Sequence, residues 1–252
     1  SQTVGQALRA AERDRRIAAV ILHIDSPGGS VVASDLIWRE VRRLRERKPV
    51  VVLMGDRATS GGYYIAAPAH AIVARPATLT GSIGIWGGKF VVAGLLDRLR
   101  VGWESLQRGE RAGLYSAAVP FTPQEREAVR EEIARGYRRF KARVAEGRGL
   151  TMEQVEKIGR GRVWTGEQAR EHGLVDGLGG FEEALRRAKE LAGLPPEAWF
   201  PLVRVRPPRA YRPPLPFPTP EAVLLALREA LRALERERLW ALPPWEVRLL
   251  AV

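Results

Sequence analysis

Two periods of apolar residues divide the chain. Residues 4–12 repeat at helical spacing, and Ile17-Ala18-Ala19-Val20-Ile21-Leu22-His23-Ile24 is a continuous apolar run of strand length. Asp25-Ser26-Pro27-Gly28-Gly29-Ser30 breaks that run, and residues 31–47 return to the helical period. A second apolar strand is expected over residues 50–54, closed by Gly55-Asp56, and a helix of small residues should open near Ser60. Two further strands are expected over 71–74 and 79–86. Strands alternating with helices at this spacing predict right-handed βαβ units and an α/β fold, with a largely parallel sheet covered on both faces.

Further on, Thr122 can cap a long helix, with Pro123 at its first position and Glu125 completing a capping box. Val129, Ile133, Tyr137, Phe140 and Val144 fall on one face of it. The capping signature recurs at Thr151-Met152-Glu153-Gln154 and Thr165-Gly166-Glu167-Gln168, and residues 181–192 form one more amphipathic helix. After Leu194 prolines recur up to Pro220, which forbids a helix or a central strand. A helix then starts whose Val223, Leu224, Leu227, Leu231 and Leu234 make an apolar stripe, extended by Trp240 and Trp245. The expected division is a domain over 1–194 and a proline-rich arm with a helical extension over 195–252. That tail would dock on a neighbouring subunit or domain, or else pack on its own core.

Composition narrows the chemistry. The 252 residues contain no Cys and only three His (His23, His70, His172), so thiolate and His-rich metal sites are not expected. No cofactor motif is present either. The net charge of +12 suggests a nucleic-acid partner only if the basic residues cluster. They do not: lysine occurs only at 48, 89, 141, 157 and 189, and the arginines are interleaved with Glu on every helical stretch, as solvated helix faces are. Nucleic acid is therefore not an expected partner. No apolar run reaches 18 residues, and the uncharged stretch over residues 58–74 is broken by Gly61, Gly62 and Pro68. The start at Ser1, without a basic-then-apolar leader, suggests a mature or excised portion of a longer protein.

Three glycine-rich junctions follow expected strands: Asp25-Ser26-Pro27-Gly28-Gly29, Thr59-Ser60-Gly61-Gly62 and Thr80-Gly81-Ser82-Ile83-Gly84. In open parallel sheets such loops line the ligand crevice. Ser60 stands out, because a hydroxyl at a strand-to-helix turn with no side chain at the next two positions is open to substrate. Backbone N–H groups of Gly61 and of Gly28 or Gly29 can together bind an oxyanion. A glycine pair can equally serve only a tight turn. The base is harder to find. His70 would lie roughly 15 Å from Ser60 if one helix joined them, His23 points off a strand, and His172 is in a polar turn. A lysine kept neutral by desolvation is the remaining chemically reasonable base.

The ordered motifs Asp25-Ser26-Pro27-Gly28-Gly29-Ser30, Ala58-Thr59-Ser60-Gly61-Gly62-Tyr63-Tyr64-Ile65-Ala66, Thr80-Gly81-Ser82-Ile83-Gly84, and Val163-Trp164-Thr165-Gly166 with Gly173-Leu174-Val175-Asp176 resemble the signal peptide peptidase A family, the S49 Ser-Lys peptidases. The likeness covers about residues 1–194. It implies a crotonase-like, Clp-protease-type fold and cleavage of residual, apolar signal peptides at the bacterial membrane, with the catalytic domain on the extracytoplasmic side. By the same resemblance Ser60 matches the nucleophile, Gly29 and Gly61 the oxyanion hole, and Ser82 the hydroxyl that orients the lysine. The chain departs from the short-form family at its Gly-x-x-Lys-Asp stretch, which reads Gly109-Glu110-Arg111-Ala112-Gly113 here. The lysine is missing.

In that respect the chain resembles the carboxyl-terminal half of the long form, in which an amino-terminal half supplies the base. Its expected partners are thus apolar peptides, that N-terminal half and further copies in a ring, the anchor lying outside this soluble portion. Lys89 is the in-chain alternative, with no family motif behind it. Other readings of the fold are a non-catalytic peptide-binding scaffold and acyl-CoA chemistry of the crotonase type, the latter leaving Ser60-Gly61-Gly62 unexplained.

Overall fold

The apolar runs pair into one mixed sheet in a computed structural model that describes residues 2–205 and 247–251. Among these, residues 2–84, 137–205 and 247–251 make one structural unit and residues 85–136 a second. The first unit opens with helix α1 (Gln2–Arg13), strand β1 (Val20–Ser26), helix α2 (Val31–Arg45), strand β2 (Val50–Thr59), helix α3 (Gly61–Ala66) and strands β3 (Ala71–Ala74) and β4 (Leu79–Gly81). Helix α4 (Ala93–Arg98) lies in the second unit, and helix α5 (Pro123–Arg148) carries residues of both. Then come α6 (Met152–Ile158), β5 (Val163–Thr165), α7 (Gly166–Glu171), β6 (Gly177–Leu178), α8 (Phe181–Leu191), β7 (Val203–Arg204) and β8 (Val247–Ala251).

Strand β2 is the hub. It pairs in parallel with β1 along one edge, and on the other its first half pairs with β3 (Val51↔Ala71 to Leu53↔Val73) and its second half with β4 (Arg57↔Leu79 to Thr59↔Gly81). The sheet therefore forks, with β6 continuing beside β3 and β5 antiparallel beside β4. Gly55-Asp56, expected to end the strand, lies inside it. A Cβ at Gly55 would sit 2.8 Å from the Asp25 Cβ, so the missing side chain is what lets the chain pass, and β1 changes register between Ile24 and Ser26 at the same level. Conversely, the strand expected over 79–86 stops at Gly81, where φ turns positive at Gly81 (76°) and Ser82 (50°).

One sheet face, Ala19, Ile21, Val51, Leu53, Ala71 and Val73, is buried under Ala184 and Ala188 of α8. The alternate residues, Val20, Leu22, Ile24, Val50, Val52 and Ile72, are also fully buried, so the sheet is covered on both sides as continuous apolar strands require. Helix α3 contacts β1, β2 and α2 on that second side. Strand β8 pairs antiparallel with β1, and β7 with β8. The stripe from Val223 to Leu234 and the tryptophans 240 and 245 lie outside the described residues.

Candidate active site

The ends of β1 and β2 bring two of the glycine-rich junctions into contact. A Cβ on Gly28 would stand 2.8 Å from the Ser60 Cβ and 3.0 Å from the Gly61 nitrogen. One on Gly61 would stand 3.0 Å from the Gly29 nitrogen and 2.5 Å from the Ser34 hydroxyl. Gly28, which also needs a φ of 115°, leaves no room for a side chain, and a Cβ on Gly61 would displace the Ser34 hydroxyl and press on the Gly29 nitrogen. The third junction closes on the same serine, whose N–H donates to the Gly81 carbonyl at 2.8 Å. The structure thus gathers Gly28, Gly29, Ser60, Gly61 and the Gly81-Ser82 turn around one point.

Ser60 is half-buried, with φ 51° and ψ −117°, a region that costs a non-glycine residue about 1–3 kcal/mol and persists only where surrounding contacts over-determine it. Those contacts are visible. The Thr59 hydroxyl donates to the Pro27 carbonyl at 2.8 Å, the Ser26 hydroxyl accepts the Gly28 N–H at 3.2 Å, and the position of a Gly62 Cβ is 3.0 Å from the Ser26 carbonyl oxygen. Helix α3 has six residues, too few to be stable alone, and two fully buried tyrosines pin it. Tyr63 donates to the Leu174 carbonyl at 2.9 Å and Tyr64 to Asp35 Oδ1 at 2.8 Å. Burial, with Asp35 beside it, pushes the Tyr64 hydroxyl up to about 12, so it remains a donor at any ordinary pH.

Ser82 is held from the other side. Its N–H donates to the Arg162 carbonyl at 2.7 Å, Gly161 donates to the Ile83 carbonyl at 2.9 Å, and the Trp164 ring lies 2.9 Å from where a Gly81 Cβ would be. Trp164 is fixed by donating Nε1–H to the Ile158 carbonyl at 2.9 Å. The Val163-Trp164-Thr165-Gly166 segment thus backs the Ser82 turn, and Gly173-Leu174-Val175-Asp176 supplies the carbonyl that receives Tyr63. Asp176 itself accepts from the Ile72 N–H at 2.7 Å and pairs with the buried Arg148 guanidinium.

Among the described residues, neither hydroxyl, on Ser60 or on Ser82, has a hydrogen-bond partner that would serve as a base. His70 belongs elsewhere: α3 ends at Ala66, and His70 Nδ1 accepts from Val50 N–H at 3.1 Å, at the opposite end of β2. Helical hydrogen bonds continue from Ser60 to Ala69 (Tyr64 N–H to the Ser60 carbonyl, Ala67 to Tyr63, Ala69 to Ala66), so the separation from the serine stays near the roughly 15 Å expected of a helix, far beyond hydrogen-bond reach. His23 lies along β1 near Gly55, and His172 stacks edge-on against Trp164 at 4.3 Å.

Four of the five lysine ammonium groups are also engaged, Lys157 of α6 being exposed. Lys48 donates to the Ala11 and Asp14 carbonyls, Lys141 to Glu156, Lys189 to the Pro196 and Ala198 carbonyls, and Lys89, in the second unit, to the Leu114 carbonyl at 2.9 Å with its charge 4.3 Å from the Phe121 ring centre. No group of acidic or imidazole side chains able to hold a metal occurs among the described residues.

Sequence reasoning missed the charged cluster behind α3. Asp35 lies on the buried face of α2 with Ser34, Ile37, Trp38 and Val41, and accepts from Arg39 Nε at 2.8 Å as well as from Tyr64. Arg143 of α5 lies 3.7 Å from Asp35 Oδ1 and over the Trp38 ring at 3.7 Å. An acid inside the apolar stripe of a helix was the available signal.

Residues 42–195 match Peptidase family S49. The chain is 44% identical over 193 residues to Protease 4 of Salmonella typhi, covering 76% of this chain and 31% of that protein. It is 40% identical over 191 residues to the chloroplastic serine protease SPPA of Arabidopsis thaliana, covering 75% and 28%. The chain therefore spans under a third of the length of these relatives. Its fold matches a ClpP1 mutant from Listeria monocytogenes with a TM-score of 0.50 at 20% identity, over 72% of this chain and 85% of that one. The fold is thus of the Clp-protease type, and no helix among the described residues is long and apolar enough to cross a membrane. With the family match covering more than half of its length, the chain belongs to peptidase family S49.

Proposed function

We propose that this chain is the nucleophile-bearing part of a serine peptidase that degrades apolar peptides, residual signal peptides foremost, and that its general base is a lysine from an N-terminal half or another subunit. The observation that carries the reading is the backbone of Ser60, held at φ 51° between the Gly28 and Gly81 turns. Strain of that kind is stored where it serves chemistry. The Ser60 hydroxyl attacks the scissile carbonyl while its proton passes to the lysine amine, which Ser82 orients. The Gly29 and Gly61 N–H groups receive the oxyanion. The lysine then returns the proton to the leaving amine, and water repeats the sequence on the acyl-enzyme. Such a lysine must be neutral before attack, which desolvation favours. The absence of a lysine from Gly109-Glu110-Arg111-Ala112-Gly113 supports an external source. Assembly into a ring, and work on the outer side of a bacterial membrane, belong to the same proposal.

The test is labelling with a serine-reactive fluorophosphonate, together with hydrolysis of an apolar peptide. Ser60→Ala is expected to abolish labelling and to lower turnover by several orders of magnitude with little change in thermal stability. Retention of a tenth of wild-type turnover would eliminate Ser60.

A further inference from the structure

We infer that Asp35 is a positioning residue for the oxyanion pair, setting the separation of the Gly29 and Gly61 N–H groups through Tyr64; the inference rests on the reading of Ser60 as nucleophile. The two donors sit at the starts of different helices, so their spacing depends on how α2 and α3 meet. One turn of α2 makes that contact. Ser34 stands 2.5 Å from where a Gly61 Cβ would be, and the next residue, Asp35, receives the Tyr64 hydroxyl at 2.8 Å. Tyr64 is one turn beyond Ser60, and its N–H donates to the Ser60 carbonyl at 2.9 Å. At the start of α2, Ser30 follows Gly29 directly and its hydroxyl accepts the Ala33 N–H at 3.3 Å, which ties Gly29 to the turn that carries Asp35.

The carboxylate cannot drift. It is 8% exposed, Arg39 bonds its second oxygen at 2.8 Å, and Arg143 approaches from α5 over the Trp38 ring. Tyr63 pins the other side of α3 to a backbone carbonyl. Asp35 is therefore the side chain that holds the α2–α3 spacing on the Tyr64 side of α3. Burial works to raise its pKa, but the Tyr64 and Arg39 hydrogen bonds and the two guanidinium charges hold it below the ordinary carboxylate range, so the anchor is ionised in the working protein.

The experiment compares Asp35→Ala, Asp35→Asn and Tyr64→Phe in the catalytically active form of the full protein. Readouts are kcat and KM on an apolar peptide and the inhibition constant of a peptidyl boronate, whose tetrahedral adduct uses the same two donors. Asp35→Ala is expected to lower kcat about thirtyfold with KM within threefold, since an ångström of misplacement costs on the order of a hundredfold. The boronate should weaken by the same factor as kcat/KM falls. Asp35→Asn, which keeps an acceptor for Tyr64, should recover much of the loss. If Asp35→Ala does not fold, Tyr64→Phe, lacking one hydroxyl, should still show a several-fold loss shared by kcat and boronate binding. Lowered melting temperature with unchanged kcat and boronate affinity would overturn the inference while leaving Ser60 intact. Activity surviving Ser60→Ala would instead overturn the reading beneath it.

Discussion

A methyl group added at Gly28, Gly61 or Gly81 would meet another atom at 2.9 Å or less, whereas one added at Gly88, Gly94, Gly102 or Gly109 would meet nothing within 4 Å. The first set surrounds Ser60. The second belongs to residues 85–136, where α4 buries no residue and Trp86, Phe90 and Leu106 are 68%, 90% and 94% exposed. The contrast separates two kinds of functional segment. Around Ser60 the intramolecular contacts already fix every group that the proposed chemistry asks of this chain. Residues 85–122 are more open, although the Val92 N–H donates to the Ala117 carbonyl, Lys89 to the Leu114 carbonyl, and a methyl group at Gly113 would meet Gln107 at 2.6 Å.

The largest expected effect probes the incomplete side of that contrast. Supplying the lysine-bearing half should raise turnover on the order of a thousandfold over the chain alone, the usual contribution of a positioned base. Lys89→Ala should leave the restored rate within about threefold, because its ammonium is committed to the Leu114 carbonyl and the Phe121 ring. Ala112→Lys in the chain alone should recover less, roughly tenfold, since a grafted amine is placed only approximately. Full activity in the chain alone that vanishes with Lys89→Ala would make Lys89 the base and end the split-site reading.

Next in size is Gly28→Ala, on the pre-assembled side. The new Cβ meets Ser60 and the Gly61 nitrogen at 2.8 and 3.0 Å at a φ of 115°, so the two junctions must separate. Turnover should fall about a hundredfold, and denaturant unfolding should show a loss of roughly 2 kcal/mol. Wild-type turnover would mean that the junctions do not act together.

How much of this was legible in the sequence follows the same division. Apolar strand runs and capping boxes were readable because they are local: Thr122 and Glu125 bond each other's backbone N–H groups, and Thr151 with Gln154 and Thr165 with Gln168 do likewise. The Ser60 junction was legible as a pattern of glycines, and the contact between its glycines and those of the β1 turn is what that pattern encodes. The passage of β2 through Gly55 was not, since the glycine there answers to Asp25 on another strand. Apart from Arg39, one turn on along α2, the Asp35 cluster was equally hidden, its other partners coming from α3 and α5, 29 residues away for Tyr64. The resemblance to S49 peptidases named Ser60 and Ser82 but carried no information about what holds α3 in place.

A smaller effect should appear in acid. The pKa of Asp35 is depressed in the folded state, so its stabilising contribution is complete above the unfolded carboxylate value of about 4 and is lost as pH falls from there through the folded value. The difference in unfolding free energy between the wild type and Asp35→Asn should therefore be largest near pH 7 and shrink below pH of about 4. A difference that grows in acid would mean that the carboxyl is protonated in the native cluster.

The smallest expected effect is the most direct probe of the exposed segment. Gly94 is the second residue of α4, and a methyl group there meets nothing within 4 Å. Helical glycine costs about 0.5–1 kcal/mol relative to alanine through its unfolded-state freedom, so Gly94→Ala should leave the isolated chain unchanged or more stable by up to about 0.5 kcal/mol. Turnover should not move. The informative comparison is the same substitution in the complete assembly. If α4 lies against a partner there, the added methyl enters a packed interface and the sign reverses, with weakened association or a loss of more than about 1 kcal/mol. If the small gain persists in the assembly, α4 faces solvent in both, and the proposed partner does not pack on α4.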